Sequence, residues 1–522
     1  MRRWFVVGSL VVSLAASASA QTLRWSSQGD PQTMDPHSQN ESLTNQMNGQ
    51  VYETLVNRGK ALELVPVLAT EWKQVAPTRW RVKLRPNVKF HDGAPFTADD
   101  VIFSLQRAKA GTSDIGAYAA ALGTPKKIDA LTVEFELAQV NPVFEQHLTT
   151  LPIMNRAWAE KNKATEPANF KGKSENYASF HANGTGPFML VSRQPDVKTT
   201  YKRNPAWWGT FEGNVQEVVY TPIASDATRT AALISGEIDF VLDPVPQDVQ
   251  RLRTTSGVKV IDGPENRLLF IGMDQSRDQL LYGSVKAKNP FKDVRVRRAL
   301  YQAIDIEAIK SRLMRGQSLP TGGITPSPLG AYNDPEIERR LPYDLEAAKK
   351  LLADAGYPAG FEVTLDCPNN RYINDEEICQ TLAAMWARLG VKVRVNAMPR
   401  SLYFPKLQKQ DTSMYLLGWG GSITDAETLI TPILRSRSDT TGSWNFGGVK
   451  DEKIDELAAA SSREPDPKKR EQLIRELLKR HNEQVLHLPL HRQVIPWAAR
   501  SNVTVVHRAD NWLEWSWVKV AK

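Results

Sequence analysis

A short segment near residue 420 combines an aromatic ring, glycines and a carboxylate. Apolar Leu416 and Leu417 precede Gly418, and the polar candidates that follow are Trp419, Gly420, Gly421, Ser422 and Asp425. Because glycine has no Cβ, the backbone here can approach a ligand and offer it N–H and C=O groups. A tryptophan can pack one ring face on a core and stack the other on a ligand. Asp425 could bind an amine, although a solvated loop acid or a helix N-cap explains it equally well.

Arg371 is the second candidate, in a polar loop over residues 368–375 that follows an apolar alternating segment. Ligands of α/β sheets bind at the carboxyl ends of strands, which is where this loop should lie. The planar guanidinium of arginine can hold a carboxylate through two parallel hydrogen bonds. The alternative is an ion pair on the surface, which contributes little.

Asn40 and Ser42 are uncharged polar residues that could bond a backbone-like ligand, but the start of a polar surface helix explains them as well. Trp444 and Trp497 are weaker aromatic candidates that fit a hydrophobic core better than a cleft.

The elements around Arg371 are predicted from hydrophobic periodicity. Phe361, Val363, Leu365 and Cys367 alternate and predict a strand with one apolar face. Ile378, Leu382, Met385 and Leu389 predict a helix that Gly390 ends, and a further strand begins at Val391. Another helix should begin after Asp344 and end at Gly356. Strands and helices that alternate with short loops favour a mixed α/β fold.

Composition excludes several classes of protein. The chain has 522 residues, is 41% hydrophobic and 24% charged, and carries a net charge of +8. These values are typical of a globular protein of about three structural units. The basic excess is spread along the chain, so we expect no nucleic-acid partner. Two cysteines are too few for a Cys-rich metal or cluster site.

The first twenty residues have the pattern of a secretory signal. Arg2 and Arg3 precede a short apolar run, and Ala18-Ser19-Ala20 forms a small-residue cleavage pattern. A membrane span needs about 20 apolar residues, more than this run provides. We therefore expect residues 1–20 to be removed before Gln21 and the protein to be exported, to a periplasm.

Export makes a disulfide between Cys367 and Cys379 a specific prediction, because exported proteins fold in an oxidising compartment. Cys367 ends the apolar face of the predicted strand, and Cys379 lies in the first turns of the next helix. The facing ends of a strand and its following helix can approach within the ~5.5 Å Cα separation of a disulfide. The alternative is two buried free thiols.

Motifs of catalysis are weak in this chain. His91 and Asp92 are adjacent and cannot orient each other as a base and its supporting acid do. Gly172-Lys173-Ser174 has the end of a phosphate loop, but Pro167 stands where the first glycine is required. His487 and His491 could share a strand face, but they lack a third metal ligand nearby. We expect a binding protein without a cofactor or metal, and not an enzyme.

Six blocks of residues together carry a resemblance to a known family. They comprise residues 69–105, with Val88-Lys89-Phe90-His91-Asp92-Gly93 and Pro95-Phe96-Thr97-Ala98-Asp99-Asp100-Val101; Gly184-Thr185-Gly186-Pro187-Phe188; Ser235-Gly236-Glu237-Ile238-Asp239; residues 293–300; residues 343–357; and Gly418-Trp419-Gly420. In this order they resemble the family 5 solute-binding proteins of ABC importers, which serve peptides, nickel and related solutes.

The resemblance implies a two-lobed clamshell with an extra subdomain in its first lobe. The implied limits are 21–265 for lobe 1, with the subdomain at about 50–185, then 266–490 for lobe 2 and 491–522 for a return to lobe 1. It also implies that Trp419 lines the cleft and that Arg371 pairs with a ligand carboxylate. In peptide-binding relatives an aspartate three residues after this tryptophan binds the amine. Ser422 takes that position here, so either Asp425 replaces it or the ligand has no free amine.

The predicted function is therefore capture of a short peptide between two lobes and its delivery to an ABC permease in the inner membrane, by a monomer. A metal chelate, an opine, a glutathione-like compound or an oligosaccharide is the alternative ligand. Two other classes remain open, a periplasmic hydrolase and a chaperone-like binder of unfolded chains.

Overall fold

A computed structural model describes residues 21–170, 172, 174–326, 334–420, 424–438 and 441–521. The predicted signal peptide, Gly421 and Ser422 lie outside the described residues. Among the described residues we find no helix with the length and apolarity that a membrane span requires.

Strands and helices alternate along most of the chain. The strands are β1 (Thr22–Ser26), β2 (Val56–Arg58), β3 (Leu64–Pro66), β4 (Ala69–Ala76), β5 (Arg79–Leu84), β6 (Thr124–Asp129), β7 (Thr132–Glu136), β8 (Phe188–Gln194), β9 (Lys198–Arg203), β10 (Glu217–Tyr220), β11 (Phe240–Val241), β12 (Val258–Met273), β13 (Ser318–Pro320), β14 (Glu362–Pro368), β15 (Lys392–Met398), β16 (Met414–Gly420), β17 (Leu488–Arg500), β18 (Val503–Thr504) and β19 (Lys519–Val520).

The helices follow the same order. They are α1 (Ser42–Gly49), α2 (Ala98–Ala108), α3 (Gly116–Ala121), α4 (Phe144–His147), α5 (Arg156–Lys161), α6 (Asp226–Ser235), α7 (Pro246–Thr254), α8 (Val294–Gln302), α9 (Ile306–Ala308), α10 (Pro335–Glu338), α11 (Leu345–Asp354), α12 (Asp375–Ala387), α13 (Arg400–Gln408), α14 (Glu427–Leu429), α15 (Glu452–Ser461) and α16 (Pro467–Glu483). Short 3₁₀ turns (Tyr177–Ser179, Pro290–Lys292, Trp515–Trp517) and π turns (Ile309–Leu313, Ile430–Leu434) complete them.

One open sheet runs through the molecule in the order β15-β14-β16-β12-β17-β11-β1-β10-β9-β8, with β13 beside β17. The long strands β12 and β17 form its centre and pair antiparallel along most of their length. Their pairing is interrupted between Pro264 and Leu268. Beyond this break β12 also pairs with β16, and before it β17 pairs with β11. Residues 265–267 therefore join two halves of the sheet, beside the predicted lobe boundary, which stays a prediction.

Each half of the sheet packs on its own hydrophobic core. The half with β1 and β8–β11 buries Trp25, Tyr201 and Trp515 together, and the other half buries Leu365, Ile378 and Trp386. A separate four-stranded sheet, β4-β5-β7-β6, packs on α2 with a third core that includes Phe135. Separate cores are the physical basis for units that can move relative to one another.

Local predictions from periodicity hold in the regions that matter for the site. The predicted strand and helix around Arg371 are β14 and α12, and the helix after Asp344 is α11. The Asp344 side chain caps α11 by accepting the N–H of Ala347 at 2.9 Å. Strand β14 pairs in parallel with β15 and β16, which gives the strand–helix–strand unit that the sequence predicted.

Candidate ligand-binding cleft

A cavity of ≈ 370 Å³ lies where the two halves of the molecule meet. Its lining includes Asn40, Ser42 and Trp512 from the first half, and Arg371 and Trp419 from the second. We call this cavity the first chamber.

A second cavity of ≈ 520 Å³ adjoins it, and we call it the second chamber. The two chambers share Ser42, Glu265, Arg267, Arg371 and Tyr372 as lining residues. These five residues therefore form a waist, with two arginines, between two parts of one cleft.

The first chamber has an aromatic wall built by residues of the second half. The ring centroids of Trp419 and Trp444 are 5.2 Å apart and those of Trp444 and Phe404 are 5.8 Å apart, both in edge-to-face geometry. The indole Nε1 of Trp419 donates to the Thr428 carbonyl at 2.8 Å, which fixes the ring. Sequence analysis favoured the core for Trp444, but it lines the chamber, whereas Trp497 is fully buried as expected.

Glycines let this wall pack against the neighbouring loop. A Cβ on Gly418 would lie 2.5 Å from the Tyr372 ring, and a Cβ on Gly420 would lie 2.8 Å from the Asn266 carbonyl. The Tyr372 hydroxyl donates to the Gly418 carbonyl at 3.2 Å. A side chain at either glycine would separate β16 from the elements that carry the waist.

The loop that carries Arg371 is held from inside. The Asp375 carboxylate accepts the backbone N–H groups of Arg371 at 2.9 Å and Tyr372 at 3.0 Å. Burial raises the pKa of Asp375 to about 6 despite these bonds. The predicted disulfide is confirmed: Cys367 and Cys379 are bonded, with their Cα atoms 6.6 Å apart. It joins the end of β14 to the second turn of α12 and closes the loop at its base.

The guanidinium of Arg371 faces the cavity without an anionic partner among the described residues. Its recorded side-chain contact is with the Tyr372 ring, 5.1 Å from guanidinium carbon to ring centroid. Burial, and then the nearby charge of Arg267, lower its pKa. The charges of Glu41 and Glu265 offset this desolvation only in part, so an anionic ligand group would stabilise the Arg371 cation further.

The other charges of the waist are paired. Arg267 Nε donates to Glu265 Oε1 at 2.9 Å, and Gln493 Nε2 donates to Glu265 Oε2 at 2.8 Å. Glu265 and Arg267 lie at the break in the β12–β17 pairing, so the segment of β12 that crosses between the two halves of the sheet lines the cleft.

Asn40 and Ser42 both line the first chamber, at the start of α1. Glu41 caps this helix by accepting the Thr44 N–H at 3.0 Å, and Asn45 Nδ2 donates to Asn40 Oδ1 at 2.9 Å. Asn40 and Ser42 are exposed at the chamber surface, where their polar groups are available to a ligand.

Asp425 is placed differently from its predicted role. Its carboxylate accepts two hydrogen bonds from Arg470, both at 2.7 Å, and it is absent from the lining of the two chambers. The two side chains are only 12% and 8% exposed. Binding of an amine by Asp425 would require this buried pair to open, so the sequence-based role stays an untested prediction that this geometry disfavours.

Several lining residues were missed by sequence reasoning. Arg508 donates to Asp510 through Nε at 3.1 Å, and its Nη1 donates to the carbonyl of Arg58 at 3.3 Å. Trp512 follows in the same segment, and the Tyr372 ring was also overlooked. The only available signal was the resemblance, which implies that residues 491–522 return to the first lobe beside the cleft.

Comparison with known proteins agrees with this architecture. The model of the bacterial extracellular solute-binding proteins, family 5 Middle, matches residues 63–441. The chain belongs to this family. A dipeptide-binding protein of Escherichia coli K12 is 25% identical over 461 residues, which cover 83% of this chain and 82% of the relative. The glutathione-binding protein GsiB of Salmonella typhimurium is 25% identical over 489 residues, covering 91% and 90% of the two chains.

Solved structures of the same kind show the fold. The periplasmic binding protein DppA of Helicobacter pylori, in complex with the peptide STSA, superposes with a TM-score of 0.81 at 22% identity and covers 96% of this chain and 98% of that one. The binding protein AgaA of A. tumefaciens R10, in complex with agropinic acid, gives a TM-score of 0.79 at 22% identity and covers 96% and 99%. The fold of this family 5 protein is the two-lobed α/β clamshell expected from its sequence.

Proposed function

We propose that this family 5 protein captures a short peptide between its lobes and delivers it to an ABC permease. The observation that carries the proposal is the Arg371 guanidinium, which lines a cavity between the halves and has no anionic partner among the described residues. A peptide supplies the missing carboxylate, and the guanidinium fork fits it. The dipeptide-binding relative and the peptide-bound structural neighbour support this choice.

The remaining lining fits the other parts of a peptide. Trp419, Trp444 and Phe404 offer apolar and aromatic surface for side chains, while Asn40 and Ser42 offer hydrogen bonds to peptide groups. The two chambers on either side of the waist leave room for residues on both sides of a central contact.

The proposal includes the setting in which the protein acts. We propose that it is exported to the periplasm after cleavage before Gln21, that it is a monomer without enzymatic activity, and that its closed form is what the permease recognises. A ligand that contacts both lobes favours the closed form by its differential affinity for that form.

The test combines capture with scattering. The purified protein is mixed with a peptic digest of casein, and bound peptides are identified by native mass spectrometry. We expect peptides to be retained and the radius of gyration to fall in solution scattering. Absence of any retained peptide, or an unchanged scattering profile at saturation, would refute the proposal.

Substitutions of Arg371 test whether its guanidinium binds the ligand carboxylate. Arg371→Ala should weaken peptide binding by about 30-fold or more, since loss of one partner of a desolvated charge pair costs ~2 kcal/mol or more. Arg371→Lys keeps the charge without the fork and should bind with intermediate affinity. The matched control is Arg388→Ala, at an exposed arginine that donates to the Tyr343 hydroxyl and lines neither chamber. Equal loss in the Arg371 and Arg388 alanine variants would contradict the assignment.

A further inference from the structure

Asp243 lies at the sheet edge that faces the second chamber. It follows β11 by two residues, and β11 runs parallel to β1, which ends at Ser26. The carboxyl ends of the two strands therefore meet at one edge, the usual place for ligands of α/β sheets. Asp243 lines the second chamber together with Ser27, the residue that follows β1.

The Asp243 carboxylate is poorly satisfied for its position. The Ser27 hydroxyl is its donor, at 3.3 Å from Oδ1 and 3.4 Å from Oδ2, and one hydroxyl proton serves one oxygen at a time. Two carboxylate oxygens offer about four acceptor sites. Asp243 forms no ion pair with a described residue, and burial raises its pKa to about 6.

Arg229, the cation whose charge acts on Asp243, donates its two Nη groups to other acceptors. The charge of Arg229 favours ionised Asp243, but its guanidinium donates to the Ile223 carbonyl at 2.6 Å and to the Asp226 carboxylate. Asp226 and Glu265 are the acids that act on Asp243, and both have arginine partners. Arg229 therefore offsets the desolvation of the Asp243 carboxylate only in part, and it forms no ion pair with that carboxylate.

The other acids of the second chamber differ from Asp243. Glu41 caps α1, Asp226 pairs with Arg229, Glu265 pairs with Arg267, Asp375 accepts three backbone N–H groups, and Glu377 is exposed to solvent. Asp243 is half-buried, and among the described acids of this chamber it combines a raised pKa with a single hydroxyl donor and no ion pair.

We propose that Asp243 binds a positively charged ammonium group of the ligand in the second chamber, as the counterpart of Arg371 at the waist. This inference rests on the proposed function, because a peptide provides both the carboxylate and the ammonium. It also provides an acid for the ammonium group, since Asp425 is paired with Arg470. A carboxylate and an ammonium in a partly desolvated site form a charge-assisted hydrogen bond, which is stronger than a neutral one.

The experiment compares peptides with and without the charge. Half of a peptic digest of casein is acetylated at its amines, and the two halves are mixed in equal amounts with the wild-type protein. Native mass spectrometry should show at least a tenfold preference for the free amines. Equal capture of both halves by the wild type overturns the inference and leaves the proposed function standing, whereas no capture from either half refutes the proposed function.

Two variants locate the preference at Asp243. Asp243→Asn keeps the size of the side chain and should reduce the preference to about one while it still captures peptides. Glu377→Gln removes the same charge from the exposed rim of the same chamber and should keep the wild-type preference. A preference that survives in Asp243→Asn, or that falls equally in both variants, overturns the assignment. If Asp243→Asn fails to fold, the wild-type comparison still decides whether the ammonium is recognised.

Discussion

Removal of the Cys367–Cys379 disulfide should destabilise the second half of the molecule by about 3 kcal/mol. The bridge joins residues 12 apart in sequence, and in the chain-entropy model closure of a loop of about 13 residues restricts the unfolded chain by this amount. Both cysteines are fully buried, so the bridge exposes no apolar surface that would reduce the stabilisation.

Urea unfolding with and without a phosphine reductant measures this magnitude. Because the reductant cleaves the disulfide in the unfolded chain, the wild-type protein should lose about 3 kcal/mol of unfolding free energy, without the cavity that a substitution creates. The Cys367→Ala/Cys379→Ala variant is the control and should be insensitive to the reductant. An unchanged wild-type unfolding curve would refute the chain-entropy argument for this loop.

Peptide binding should respond less than stability. The bridge closes the base of the loop that carries Arg371, but the Asp375 carboxylate holds the same loop through two backbone N–H groups. We therefore expect the double variant to bind peptide less than about tenfold more weakly, as measured by calorimetry. A loss as large as that of Arg371→Ala would show that the disulfide, and not Asp375, positions the guanidinium.

Three further predictions follow from buried groups and from the aromatic wall. Asp425→Asn should lower the free energy of unfolding in urea by ~3 kcal/mol or more, because it removes the carboxylate that pairs with the buried Arg470 guanidinium. A fully stable variant that binds no peptide would instead support the ligand role of Asp425. Burial lowers the pKa of His491 to about 3, so this histidine is neutral in the folded protein and lowers its stability as the pH falls from about 6.5, the unfolded value, towards 3. His491→Phe should reduce the dependence of unfolding free energy on pH in this range by up to ~1.4 kcal/mol per pH unit, and an unchanged dependence would contradict the argument. Trp419→Ala should weaken peptide binding by ~2 kcal/mol in calorimetry, whereas Tyr177→Ala, exposed and outside both chambers, should bind as the wild type does.

Short-range chemistry made much of the second lobe predictable. The alternation of Val363, Leu365 and Cys367 and the helical spacing of Ile378 and Leu382 predicted β14 and α12, since each pattern admits one packing of its apolar face. The disulfide followed, because the strand and the helix are neighbours in sequence and therefore in space. The position of Trp419 beside a cavity was also predictable, since glycines on both sides of a large ring are typical of close approach by another element or a ligand; its ligand-binding role stays a prediction.

Contacts between residues far apart in sequence were decided only by the tertiary structure. The pairing of Asp425 with Arg470, 45 residues later, disfavours the ligand role expected of that acid, and sequence reasoning did not foresee it. Asp243 gave no local signal, because an acid two residues after a strand is common and its neighbours come from other parts of the chain. Charge pairing depends on which side chains the fold brings within a few ångströms, and hydrophobic periodicity does not encode that choice. The sequence alone therefore determined the family, the local elements and the disulfide, whereas the fold decided which charges remain available to a ligand.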